Sequence, residues 1–369
     1  MPPGVPPQGH AHTRDIHVTL RGVLILIVML DHNDIIRNVA AVDAWFQPMT
    51  FHVTGFLLLP FLQPFKGLSY ATARDHAIRY LTPFLFAVLV YSLAFHILVA
   101  PREPLQAIAR ELGTALFFAN PTSLHTATGF IVLWFLPALL SLVLLMGVMK
   151  SATKSSRIAI IVVATAVHLT VGGFAPWFKQ AVPQGLLIAL YILPLGLILR
   201  AGIPWFTDRS HAKKIAVGSI AILILCWSFE HHYGIEVATL DLPTFRTPLT
   251  VSATDASDLC FFLAAFICAP LLGRLPAVKL LGRHSLVIYL VHPLLYKPIL
   301  AALLRVCTLQ TLGQPYGALF YWSGAALSVI LVASASLALA VALDFFQPAR
   351  RLLLPRDLDD LLHRDSRLP

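Results

Sequence analysis

Charge is scarce in this chain: Asp, Glu, Lys and Arg together make up 12% of its 369 residues, about half of what a soluble domain carries. No long polar stretch interrupts the apolar runs, so no separate water-soluble domain is expected. Cysteine is scarce as well. Cys226, Cys260, Cys268 and Cys307 lie in or beside apolar segments, without a C-x-x-C pair or metal-ligand spacing. That pattern predicts buried free thiols and no metal site. The opening stretch, MPPGVPPQGHAHTRD, lacks the apolar centre of a secretory signal, and no cleavage pattern follows it. Residues 1–15 therefore read as a short, disordered, Pro-rich tail. The formal net charge is +9, but nucleic acid is not the implied partner. The basic residues punctuate apolar runs instead of collecting on a polar domain.

What is abundant is hydrophobicity, at 57% of the residues. A helix crossing a bilayer core needs about 20 largely apolar residues. Ten segments meet that measure approximately: 17–36, 46–65, 79–100, 129–149, 158–176, 183–202, 214–230, 257–273, 284–304 and 319–343. The expected fold is all-α, a polytopic bundle of about ten transmembrane helices. Segment 104–119 is amphipathic and reads as a surface or re-entrant piece. With the N-terminus placed in the cytosol, nineteen of the 27 lysines and arginines fall on the cytosolic side and six on the other. This asymmetry predicts an even number of spans and both termini in the cytosol. Residues 16–343 then form the membrane domain. Residues 344–369 form a cytosolic amphipathic tail whose leucines alternate with charges at the membrane surface.

The remaining two cations, Arg21 and Lys297, fall inside spans. Arg21 opens the run RGVLILIVMLDHN, which ends in Asp31, His32 and Asn33. Eleven helical steps from Arg21 to His32 come to about 20° past three full turns and about 16 Å of rise. The two side chains share one face, with Asp31 about 80° to the side. Charged groups inside a membrane segment are costly, at about 2.5–3.5 kcal/mol each near the centre by insertion scales. Arg21 and His32 should accordingly face the bundle interior or water. The plain alternative is an arginine snorkelling to the headgroups and a polar histidine at the outer edge.

Arg21 and His32, as an Arg-x10-His pair, resemble the first helix of the membrane-bound acyltransferase-3 family. FHVTGFLLLPFL (51–62) resembles its second helix, with Thr54-Gly55 where Ser-Gly is usual. LWFLPALL (133–140) is similar to the Trp-Phe-Leu helix of the branch related to fucose O-acetylases and exopolysaccharide O-acetyltransferases. LLGRHSLVIYLVHPLL (280–295) resembles its late Gly-x-x-Ser…Tyr-Leu-x-His-Pro helix. The chain departs from the family at HAIRYLTP, where His76 replaces the first arginine of Arg-x-x-Arg while Arg79 and Pro83 fit. The resemblance implies transfer of an acyl group, usually acetyl from acetyl-CoA, to a sugar hydroxyl of a lipid-linked or surface polysaccharide in the bacterial inner membrane. Acetyl-CoA is then a co-substrate and no cofactor is permanently bound. The partners are acyl-CoA, a glycan acceptor and membrane lipids.

On this reading His32 is the general base, suited by its near-neutral titration to take a proton from a weak hydroxyl nucleophile. Asp31 or Asn33 orients its ring; a covalent acetyl-imidazole on His32 is the other course. Arg21 meets a phosphate or the pantetheine arm of the donor from the cytosolic edge. Arg79, with His76, Arg74 or Lys66 in place of the missing arginine, grips donor phosphates.

Ser285, Tyr289, His292 and Tyr296 recur at +4, +3 and +4, so they occupy one face of a helix, as interhelical hydrogen-bonding groups or as support for the site. His52, at the depth of His32, and Trp134, as a platform for a sugar ring, complete the acceptor-side candidates. His96 and His168 read as structural. Trp45, Trp134, Trp177, Trp227 and Trp322 together also read as an aromatic belt. Loop 231–256 is the most polar outer stretch. A carrier or flippase for a lipid-linked glycan also fits ten spans with intramembrane charge, although no internal repeat is evident. A scaffold would leave the Arg21–His32 line unexplained.

Overall fold

The computed structural model describes residues 8–37, 39, 51–98, 104–130, 132–170, 182–207, 213–214, 216–222, 224, 248–305, 316–355 and 357–361. Their regular elements are all helices, with no strand among them. Five helices are long and apolar enough to cross a membrane: Tyr70–Ile97, Val132–Ser151, Gln184–Pro204, Ser285–Leu303 and Gly317–Phe345. They coincide with five of the ten expected spans. Two shorter apolar helices, Val53–Leu62 and Asp258–Leu272, fall within two more. Expected span 17–36 is a broken helix. Span 158–176 is helical to Thr170, and most of 214–230 lies outside the described residues.

The chain divides into two compact units. The first comprises residues 1–59, 203–235 and 252–342. Its helices are α1 (Gln8–Asp31), α2 (Asp34–Arg37), α3 (Phe51–Leu58), most of α10 (Pro248–Leu272), α11 (Pro276–Arg283), α12 (Ser285–Leu303) and α13 (Gly317–Phe345) as far as residue 342. Helix α1 begins at Gln8, inside the stretch expected to be a tail. Between Gly9 and Gly22 there is neither proline nor glycine, so nothing stops the helix from extending past the apolar run.

The contact that orders this unit is between α1 and α11. A Cβ at Gly22 would overlap the Val278 carbonyl, and one at Gly282 would overlap the Val18 carbonyl. The two backbones meet directly, the arrangement small residues permit between membrane helices. Around this contact, Ile25, Val28 and Met29 of α1 pack with Leu281, Ile288, Tyr296, Tyr321 and Val332. Gly282→Leu forces a side chain into backbone and is expected to destabilise the protein by about 1–3 kcal/mol. Thermal unfolding of the detergent-purified protein measures this, and an unchanged melting temperature would refute the close contact.

The second unit comprises residues 60–202, 236–251 and 343–369. It contains α4 (Tyr70–Leu98), α5 (Leu105–Phe118), α6 (Pro121–Thr128), α7 (Phe135–Ser151), α8 (Lys154–Thr170), α9 (Gln184–Thr207) as far as residue 202, α14 (Gln347–Leu353) and α15 (Leu358–Leu361). Segment 104–119 forms α5. Asn120 then caps α6, its side chain accepting from the Ser123 amide at 2.7 Å, an N-cap that leaves one fewer orphan donor at the helix start. The entry to α4 is pinned to α7: the Leu68 amide donates to the Gly147 carbonyl at 3.2 Å and to Ser151 Oγ at 2.9 Å. Arg200 donates to the Gln63 carbonyl and lies 4.1 Å over the Phe65 ring. Helices α5, α6, α14 and α15 all pack on α4.

Candidate active site

Helix α1 breaks where its motif ends. His32 is a turn residue, Asn33 is non-helical, and α2 resumes at Asp34. Asn33 makes the break. Its Oδ1 accepts from the amides of Ile35 at 3.1 Å and Ile36 at 3.4 Å, capping α2 as an asparagine N-cap does. Its Nδ2 donates to Ser328 Oγ at 2.7 Å and to the Ala325 carbonyl at 3.2 Å, which ties the break to α13. Tyrosines brace both sides of it. The Tyr296 hydroxyl donates to the Met29 carbonyl, and the Tyr321 hydroxyl donates to the Ile35 carbonyl. Asn33, Ser328 and Tyr321 are all fully buried, so each of these bonds forms away from water, where an unmade one is expensive. Asn33→Ala removes the cap and strands the Ile35 and Ile36 amides. A loss of about 1–3 kcal/mol in stability is expected, readable as a lower melting temperature, and Asn33→Asp should restore part of it by keeping the capping oxygen.

This braced break holds His32 against α12. His32 Nδ1 lies 2.9 Å from His292 Nε2, and the two rings stack almost parallel, 8° apart, with centroids 5.2 Å from each other. His292 is fully buried, and its Nδ1 lies 3.1 Å from the Ile288 carbonyl. A carbonyl only accepts, so His292 Nδ1 carries a proton and its Nε2 carries a lone pair. His32 Nδ1–H donates to that lone pair. The second nitrogen of His32, Nε2, is left in the basic form. Tyr289 and Tyr296 flank His292, with ring centroids 6.2 Å and 6.3 Å away. Three members of the polar stripe on α12 thus sit together, and one of them, His292, touches the base. The fourth, Ser285, is buried at the first residue of α12, roughly 10 Å along the helix from His292.

Asp31 is buried beside His32 in sequence. The bonds Asn33 makes run to α2 and α13, so it fixes the backbone that carries His32, and the ring's partner is His292. Arg21 belongs to the same unit, eleven residues earlier on α1, with Nε buried. His52 has its backbone in α3, but its side chain lies outside the described residues. In the second unit, Trp134 is only 3% exposed and sits beside Phe135. Arg74 is paired with Asp75 through Nε at 3.2 Å and through a terminal nitrogen at 3.1 Å. His76 stacks near Tyr80 and has Lys66 and Arg79 as charged neighbours. His168 Nδ1 lies 2.6 Å from the Tyr191 carbonyl and its ring stacks on Tyr191, a structural role. Trp45, Trp177, Trp227 and residues 231–247 lie outside the described residues.

Two residues that the sequence does not single out carry polar weight in the first unit. Ser328 receives Asn33. Asp258 on α10 is buried with its carboxyl facing the Thr54 hydroxyl of α3. The signal for Asp258 was an acidic residue at the start of an apolar run, and for Ser328 there was only a serine within one.

A family model described as an acyltransferase domain, acyltransferase-3, matches residues 19–346. Comparison with curated proteins and with solved structures gives no match. The match takes in both the broken α1 and the His292 helix, and with the apolar helices it makes the chain a multi-pass membrane protein. The chain belongs to the acyltransferase-3 family of membrane acyltransferases.

Proposed function

We propose that this acyltransferase is an O-acetyltransferase that moves acetyl from acetyl-CoA to a sugar hydroxyl of a bacterial surface polysaccharide or its lipid-linked precursor. The observation that carries the reading is the 2.9 Å contact between His32 and His292. It presents one imidazole as a base and supplies a second to hold it. As the hydroxyl oxygen attacks the thioester carbonyl, its proton passes to His32 Nε2. The carbon–sulfur bond then breaks, and the leaving thiolate takes that proton to give free CoA. The imidazolium that forms between these steps is stabilised by the lone pair of His292, which plays the orienting part that a third group plays in other nucleophile–base systems.

On the same reading, Arg21 serves the donor from the cytosolic edge of α1, and Arg74, His76 and Arg79 of the second unit are donor-phosphate residues. The proposed topology is ten spans with both termini cytosolic, in the bacterial inner membrane, as the distribution of basic residues favours. His52, Trp134, Ser285 and Tyr289 are assigned to the acceptor side. The test is mass spectrometry of surface glycans from a deletion strain complemented with wild type or His32→Ala at equal protein levels. Loss of acetyl groups with the variant is expected. Unchanged acetylation would overturn the reading, and lost glycan export with intact acetylation would favour a carrier.

A further inference from the structure

The second unit holds a group of cations that the His32 chemistry does not use. Helices α14 and α15 pack on α4. They carry Arg350, Arg351 and Asp360, whose side chains are 19%, 24% and 17% exposed. Charged groups of this kind stay out of hydrocarbon, and the far part of α4 is already covered near Phe95 by Gly129, at the end of α6. The tail thus lies on the helix whose first turns bear Arg74, His76 and Arg79.

Arg350 Nε donates to Gln347 Oε1 at 3.3 Å, and the carboxylate the two tail cations share is more distant. A single oxygen, Asp360 Oδ1, lies 3.7 Å from Arg350 and 3.8 Å from Arg351, too far for the close charge-assisted bonds guanidiniums make to carboxylates or phosphates. Arg351 Nε is buried without a hydrogen-bond partner. One carboxylate between two guanidiniums occupies the place of an anion, and it fills that place poorly. A phosphate has more oxygens, more charge and the geometry for forked contacts with arginine.

We propose that α14 and α15 complete a phosphate site at the polar end of α4. Arg350 and Arg351 bind phosphate groups of the acyl-CoA donor there, and Asp360 is the internal carboxylate those groups displace. Arginine is absent at position 76, and the tail supplies guanidinium from elsewhere in the chain. This rests on the acetyl-CoA reading above and adds residues to it. An anionic lipid headgroup offers the same chemistry, so the test separates the two sources.

The full chain is reconstituted in nanodiscs of neutral phosphatidylcholine, and binding of CoA and of dephospho-CoA is measured by calorimetry. Arg350→Gln/Arg351→Gln is expected to weaken CoA about tenfold and to narrow its advantage over dephospho-CoA. Asp360→Asn should tighten CoA several-fold by removing the competitor, and Arg350→Lys/Arg351→Lys should recover part of the lost affinity. In turnover the effect appears mainly in KM for acetyl-CoA. CoA binding that is equal in wild type and all three variants would overturn the proposal while leaving the acetyltransferase reading intact. Variants altered only in nanodiscs with about one third phosphatidylglycerol would assign the arginines to lipid and overturn it too. Failure of wild type to bind CoA would end both readings.

Discussion

Replacing His32 with alanine is expected to lower acyl transfer by about 10²–10⁴-fold, the range that a positioned general acid–base contributes, with little change in KM for acetyl-CoA. The magnitude follows from what the site offers in exchange. With His32 gone, His292 is a badly placed base: its Nε2 keeps a lone pair, because Nδ1 carries the proton donated to the Ile288 carbonyl at 3.1 Å, but the ring is fully buried and sits a ring's width behind the place of His32 Nε2. Its Nε2 points at the vacated place, 2.9 Å from where His32 Nδ1 stood. The acceptor hydroxyl is then left to attack as a neutral alcohol. Initial rates with purified wild type and variant in the same lipid provide the measurement, with the melting temperature as a folding control. Retention of more than about a tenth of the wild-type rate would be incompatible with His32 as base.

The second large effect belongs to His292, and here the choice of replacement matters. His292→Phe keeps a flat ring at the position, though a larger one, but removes the lone pair that holds His32 Nδ1–H, leaving that part-buried donor without the bond at a cost of about 1–3 kcal/mol. A fall in kcat of about tenfold to several hundredfold is expected, since 1.36 kcal/mol off the barrier is tenfold in rate. His292→Gln can offer an amide oxygen to the same N–H and should recover part of the loss. KM should hardly move in either variant, because the part assigned to His292 is to hold His32. Equal activity in the two variants would mean that His292 merely fills space.

Much of this arrangement is legible in the residues, and the boundary of legibility has a physical cause. Helical periodicity puts Arg21 and His32 on one face, and it puts Tyr289, His292 and Tyr296 on one face of another helix, because both statements concern neighbours along one helix. That His32 and His292 touch is a relation between residues 260 positions apart, which no local spacing encodes. The role of Asn33 shows the same limit. Beside His32 in sequence it reads as a ring partner, yet the three residues after it, Asp34-Ile35-Ile36, make it the N-cap of a new helix. Hydropathy alone marks ten spans. The five long ones appear as continuous helices, whereas the first is interrupted because Asn33 caps a second helix within it. The tail was legible as amphipathic, but its pairing of Arg350 and Arg351 with Asp360 depends on how α14 turns into α15.

The central claim is that His32 and His292 act as one unit, and a double-mutant cycle in a single lipid reconstitution tests it most directly. Turnover is compared for His32→Ala, His292→Phe and the two together. The account predicts that His292→Phe costs nothing further once His32 is absent, since the bond it supports no longer exists. Losses that multiply, with the double variant slower than His32→Ala by the full factor of His292→Phe alone, would contradict it.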